Sequence, residues 1–526
     1  MADCNWPCKY TTGRWLKRDR LQRESRYVKF DFAALRRKAV ALCPQARDAA
    51  SCQKMEGGFN KAFLFTMDSG ERIAARIPTS IAGPRRLTTN SEVATMTYIK
   101  SKTTIPVPDI LDWSDDNSNP VGTEYIFMDH AAGDQLHNRW DEMSSLQHVQ
   151  VIKSISRMIG QMTSLEFPAF GSIYFQDAPL DPASKIQLED SFCIGPHCGP
   201  VYWNCSPGEG RLYGNDGYDQ GPWKDLHQFC TGLMTSARSR IPVDDLEGKK
   251  PSYWGSIEEH RNLLNVNEKV LRRLVKSELL KDASKPTLLH ADLHKRNIFV
   301  SSTEPSKVTA IIDWQATAVE PAFMYGNETP DLAMQLYSSS DLDDDIDDDD
   351  LSQEERDARA KEERDLQLCK DAFEACMKGF APVIGKARSL DGLLFRPSLH
   401  CNTSSRDSIT AVRQDLIELS RRWNDIGLTG VCPYAPTEAE LQTHERLYTK
   451  FQTAQDLRLG LMKRLRTNSD GWVPTSDWET IESCHDEMFL EWLQIARHSA
   501  QEDGSLTEAK ARELWPFDQV SESESE

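Results

Sequence analysis

Residues 288–300 read LLHADLHKRNIFV, and this stretch constrains the chain more than any other. His290, Asp292 and Asn297 stand in it at the spacing H-x-D-x-x-x-x-N, with apolar residues on both sides. A second apolar run, residues 310–312, follows and ends at Asp313. A carboxylate beside a reacting hydroxyl, an amide five residues on and a second carboxylate at the end of a buried strand make a metal–nucleotide site. That is the layout of a phosphoryl-transfer centre. Such a centre also needs a glycine turn, a cation and a buried acid to grip the phosphates.

Candidates for these parts lie upstream in the expected order. Residues 30–43 have helical spacing, with Phe32, Leu35, Ala39 and Leu42 on one side. Gly57, Gly58, Phe59 and Asn60 then precede a strand at 62–67, a turn at 68–70 and a strand at 72–77. A glycine pair lets backbone N–H groups approach a phosphate with no Cβ in the way, though a plain tight turn reads the same. Arg76 lies inside the second strand, and Glu92 lies in the helical stretch 90–100. A strand cation held by a helix acid can grip phosphates. The alternative is a surface pair worth under ~1 kcal/mol. A third strand, 123–128, ends at Met128, Asp129 and His130, where backbone groups of a chain crossing between lobes could hold adenine.

The rest of the chain is mostly helical. Leu146, Val149, Ile152, Ile155, Ile159 and Met162 define a buried face, and 258–280 is helical again. Residues 200–222, rich in Gly, Pro and aromatics, read as an ordered loop. Ser352 and Glu355 form a capping box that opens a helix with Leu366, Cys369, Phe373, Cys376 and Phe380 on one face. Residues 409–423 form another helix, and Thr437 and Glu440 cap a third. A strand-rich front and a helical rear give an α+β, two-lobed fold. The expected division is an N-terminal arm at 1–29, an N-lobe with a small antiparallel sheet at 30–129 and a large helical C-lobe at 130–526.

The net charge of −19 is uneven: eight Asp lie in 341–350 and three Glu in the final six residues, which leaves about −8 elsewhere. An acidic disordered insertion at about 338–352 and a disordered tail at about 515–526 follow from this. No basic surface suits nucleic acid, and no apolar run approaches the ~20 residues of a membrane span. Thirteen cysteines, an odd number, favour a reducing compartment. Cys193, His197, Cys198 and Cys205 lie close together, but their spacing matches no common zinc pattern and suits loop and core residues better. The first thirty residues carry eight Lys or Arg against three acids, a poor transit-peptide pattern that better fits a folded arm with a basic face.

In this layout Asp292 orients the acceptor hydroxyl and takes its proton late, while Asn297 and Asp313 offer oxygen to Mg²⁺. His290 is a scaffold for the loop, and His294 and Lys295 face the transferred phosphoryl group.

These motifs carry a resemblance. HADLHKRNIFV resembles the H-G-D-L-H-x-x-N loop of the aminoglycoside phosphotransferase or choline-kinase-like family, and IIDWQ resembles its I-D-W-E segment. More narrowly, the chain resembles the fungal "altered inheritance of mitochondria" phosphotransferase-like proteins. EGGFNKAFLFTMDSGERIAARIPTSIAGPRRLTTNSEVATMTYI, IPVPDILDWSDDNSNPVGTEYIFMDHAAG, FPAFGSIYF, FCIGPHCGPVYW and DGWVPTSDWE carry the likeness across most of residues 10–500. The resemblance implies a protein-kinase-like fold, ATP and Mg²⁺ as cofactors, and γ-phosphoryl transfer to a small-molecule hydroxyl. It also implies Asp292 as base, Asn297 and Asp313 as metal ligands, and a mitochondrial location, with the cytoplasm as alternative. Arg76 stands where a Lys is common, Gln315 where a Glu is usual, and no Phe-Gly follows Asp313. The last two points argue against a regulated protein kinase. The first keeps open a nucleotide-binding pseudoenzyme acting through protein partners.

Overall fold

The computed structural model describes residues 6–205, 219–243, 250–326, 328–334, 352–502 and 506–519. Its N-lobe is a five-stranded antiparallel sheet. In spatial order the strands are Ala49–Glu56, Asn60–Met67, Arg72–Pro78, Tyr125–Asp129 and Ile110–Ser114. Alternation sends Phe63, Phe65, Ile73, Ala75 and Ile77 to one face, where they pack with Leu35 and Ala39 of the helix Phe32–Ala41. Asp31 caps that helix by accepting from Ala34 N at 2.9 Å.

Arg76, between Ala75 and Ile77, therefore points to the other face. There the helix Leu87–Lys102 covers the sheet, with Val93 packed against Ile126 and Met128. This helix is buried on nearly every side, from Thr88 to Ile99. It extends three residues before the stretch that its spacing marks, because it has no polar face to define its start. The glycine pair closes the turn between Ala49–Glu56 and Asn60–Met67. The first of these strands is absent from the sequence reading, since its pattern AASCQKME is largely polar and exposed.

The chain then crosses to the C-lobe. Gly133 has φ +93°, and a Cβ there would sit 2.0 Å from Val300 O, so only glycine fits. The short strand Asp134–Gln135 pairs with Ile298–Val300, which pins the crossing to the strand that follows residues 290–297. In the C-lobe, helix Ser145–Ser164 opens on a Ser144–Gln147 capping box. It buries Val151, Ile152, Ile155, Ile159 and Met162 in a core shared with helix Gln353–Phe380. Of the expected face, Cys369 and Phe373 are buried and are joined by Met377 one i, i+4 step on; Leu366 and Cys376 are half-buried, and Phe380 turns outward under Arg157.

A second core joins helices Leu226–Ser239, Ile257–Leu274 and Ile409–Arg422. The helical run expected to reach residue 280 breaks after Leu274 and resumes at Glu278–Lys281. A third core gathers helices Glu438–Arg464, Trp478–Glu502 and Glu508–Leu514 around Leu16 of the N-terminal arm. Strand Gly13–Trp15 pairs there with Trp472–Pro474.

Two expectations need correction or limits. Residues 515–519, assigned above to a disordered tail, are packed: Trp515 and Phe517 bury their rings in the third core, and Asp518 N bonds Leu16 O at 2.9 Å. Residues 520–526, the acidic run at 338–351 and residues 206–218 of the Gly/Pro-rich loop lie outside the described residues. Cys193 and Cys198 are core side chains; the Cys198 thiol meets Tyr174 OH at 2.9 Å, and His197 Nε2 meets Glu320 at 3.0 Å.

Candidate active site

Residues 290–297 turn between the strands Pro286–Leu289 and Ile298–Val300, and Asp313 follows the strand Val308–Ile311. His290 holds these two segments together. Its Nδ1 accepts from Asp292 N at 3.1 Å, so Nε2 carries the proton and donates to Ile312 O at 2.9 Å. Burial keeps His290 below the usual imidazole range, and its ring packs edge-on against Trp314.

Asp292 is exposed on this scaffold. His294 Nε2 lies 2.9 Å from Asp292 Oδ1, and Asn297 Nδ2 donates to Oδ2 at 3.1 Å and to the Asp292 carbonyl at 2.9 Å. The hydrogen bond from His294 holds Asp292 below the ordinary carboxylate range. His294 in turn stands between two acids, with Asp331 Oδ1 at 3.7 Å from Nδ1. The bonds to Asp292 and Asp331 push it up to about 10, so it is an imidazolium at neutral pH. Asp331 also accepts from Lys295 N at 2.8 Å and fixes the start of the short turn Lys295–Asn297. The sequence reading missed Asp331; only its position shortly after the strand-ending Asp313 could have drawn notice.

Lys295 Nζ lies 5.0 Å above the Trp140 ring, a cation–π contact that engages its ammonium on an aromatic face.

Across the cleft, Arg76 is the hub. One guanidinium nitrogen pairs with Glu92, and the other pairs with Asp313 and donates to Gln315 Oε1 at 2.7 Å. Burial pushes Glu92 up to about 7, against the pull of the guanidinium. Asp313 has φ +67°, a left-handed conformation that Asp tolerates better than most residues. Gln315 Oε1 also accepts from Asn60, and Gln315 Nε2 donates to Ala82 O at 2.7 Å. A carboxylate at 315 could not make that last bond, which gives the amide here a physical reason.

The remaining predicted residues line the N-lobe side. Phe59 is exposed and its carbonyl accepts from Thr79 N and Oγ1, each at 2.8 Å. A Cβ on Gly57 or Gly58 would meet open space, so nothing in the protein itself requires glycine at either place. Met128 is buried, Asp129 exposed and His130 half-buried, with burial lowering the His130 imidazole. Asp129 N donates to Asp109 O at 2.9 Å, so that N–H is not available to a ligand.

A small antiparallel sheet over a helical lobe, with acid, amide and cation facing one cleft, defines the class as kinase-like in fold. Residues 224–365 match the model of the "Phosphotransferase enzyme family". It is 31% identical over 304 residues to a subtelomeric hrmA-associated cluster protein of Aspergillus fumigatus, across 51% of this chain and 58% of that one. It is 25% identical over 376 residues to altered inheritance of mitochondria protein 9, mitochondrial, of Yarrowia lipolytica, across 64% and 62%. The protein of that name in Clavispora lusitaniae is 22% identical over 543 residues, across 90% and 87%. The chain thus spans 58% of the length of the curated relatives it matches first. Among solved structures, ADP-bound aminoglycoside phosphotransferase APH(2'')-Ib is similar with a TM-score of 0.38 at 10% identity, across 76% of this chain and 98% of that one.

Proposed function

We propose that the chain is an ATP- and magnesium-dependent phosphotransferase that moves the γ-phosphoryl group to a hydroxyl of a small molecule. The carrying observation is the convergence of Asp292, Asn297 and Asp313, with His290 linking the segments that bear them. The residues fit the cofactors. Asp313 and the Asn297 amide oxygen, which accepts no hydrogen bond among the described residues, are hard donors suited to Mg²⁺. The Gly57–Gly58 turn leaves the room that a phosphate needs. When bound, magnesium ATP supplies the transferable group and the charge that balances it.

The protein residues do the positioning. Asp292, ionised beside imidazolium His294, accepts a hydrogen bond from the acceptor hydroxyl and takes its proton late. A depressed pKa makes it a weak base, which suits a transfer that needs alignment more than proton abstraction. His294 places a positive charge beside the reacting hydroxyl, and Asp331 keeps it oriented. The overall acidity weighs against nucleic acid as acceptor.

The relatives named as mitochondrial support a mitochondrial location, with the cytoplasm as alternative. No described helix is long and apolar enough to cross a membrane. A second reading, a nucleotide-binding protein with little turnover that acts through protein partners, rests on the direct pairing of Arg76 with the presumed metal ligand Asp313. Incubation with Mg·ATP and a pool of hydroxyl metabolites, read by mass spectrometry, separates the two. A phosphorylated product supports the first. Mg·ATP binding without product supports the second.

A further inference from the structure

We propose that the N-terminal arm, residues 6–26, sets the position of the Gly57–Gly58 turn, with Arg26 as its positioning residue. The inference rests on the nucleotide reading of that turn. Two glycines give the turn wide backbone freedom, and fixing it beforehand spares that ordering cost when phosphate binds. The arm does the fixing from behind the sheet. Arg26 Nε donates to Gly58 O at 2.9 Å. Its Nη1 donates to Gln22 O at 2.9 Å and to Gln22 Oε1 at 2.7 Å, and its guanidinium lies 4.3 Å over the Trp15 ring. Arg26 is 7% exposed, so this planar group has little freedom of its own.

The residues flanking the turn are held by the same segment. Glu56 Oε2 accepts from Thr11 N at 2.7 Å and Thr11 Oγ1 at 2.9 Å. Lys61, fully buried, donates to Glu56 at 2.7 Å and to Lys9 O at 2.9 Å. Ser80, just past the strand that backs Phe59, donates to Ser25 O at 2.7 Å.

The arm has its own anchor far along the chain. Gly13–Trp15 pairs with Trp472–Pro474, and Trp472 Nε1 donates to Tyr10 OH at 2.9 Å. The Arg14 guanidinium lies 4.0 Å over Trp478, and Arg18 N donates to Asp518 at 2.6 Å. The turn is thus braced through the arm against the C-terminal helices, while on the cleft side Asn60 bonds Gln315.

The test uses the 526-residue chain and Mg·ATP, with calorimetric Kd, steady-state KM and kcat, and Tm. Arg26→Met is expected to raise Kd and KM for ATP about tenfold with kcat within about twofold. Arg26→Lys, which keeps one donor, restores part of the affinity. Thr11→Val, a milder change should Arg26→Met fold poorly, raises KM about threefold. Arg23→Ala, on the same helix without contact to the turn, leaves KM unchanged. Wild-type Kd in Arg26→Met or in Thr11→Val, or a lower Tm with unchanged Kd, overturns the proposal while leaving the nucleotide reading intact. Absence of Mg·ATP binding by the wild type overturns that reading and this proposal with it.

Discussion

Arg76→Met tests the hub of the cleft through stability alone. Arg76 and Glu92 are both buried, so removing the cation leaves a carboxyl that must either stay charged without a partner or take a proton. The cheaper course is protonation. Its cost grows by about 1.4 kcal/mol for each pH unit above the unfolded value near 4.5. The sign follows from linkage. Glu92 is raised in the folded state, so stability falls as pH climbs from the unfolded value through the folded one. In the wild type that fall ends near pH 7, where Glu92 titrates. In Arg76→Met it continues upward, because the opposing cation is gone. At pH 6 both chains hold Glu92 mostly neutral, and the variant loses the hydrogen bonds from Arg76 to Glu92, Gln315 and Asp313, on the order of a few kcal/mol. At pH 8 a further loss, on the order of 1 kcal/mol, is expected. Urea unfolding at both pH values, compared by midpoint at constant m, reads the difference. A loss equal at the two pH values, or larger at pH 6, would show that Glu92 does not depend on Arg76 in this way.

Three other outcomes follow from the site. Asp292→Asn should lower kcat by about 10²–10⁴ and leave Mg·ATP affinity nearly unchanged; equal turnover in a product assay would show that the base is misassigned. Asp313→Ala should remove the thermal shift produced by Mg·ATP, measured against the shift from ATP without metal; an undiminished shift would count against its metal role. His294→Ala should move the acid limb of the kcat/KM profile to higher pH, because the imidazolium that holds Asp292 low is gone. An acid limb that stays in place would separate His294 from the titration of Asp292.

What could be read from the sequence was local. The spacing of His290, Asp292 and Asn297 fits within one turn between two strands, so a short window contains it. Arg76 and Glu92 were legible because strand and helix follow one another directly, and the structure brings them together with Asp313. Asp331 was not, since its bond to Lys295 N crosses 36 residues with no fixed spacing to announce it. The bracing arm was less legible still: Thr11–Glu56 and Arg18–Asp518 are pairs that only the tertiary fold creates. Helix Leu87–Lys102 shows a related limit, because burial on nearly every side erases the stripe that marks a helix boundary. Residues 515–519 are packed despite the acidic run that follows them, because Trp515 and Phe517 carry the apolar bulk that docks them.

One measurement bears on the central claim most directly: the 526-residue chain, ATP and magnesium are incubated with a pool of hydroxyl-bearing metabolites, and products are identified by mass spectrometry beside an Asp292→Asn control. The account predicts a metabolite that gains one phosphoryl group on a hydroxyl oxygen, dependent on magnesium and lost in the control. No phosphorylated product, together with no thermal shift from Mg·ATP, would contradict it.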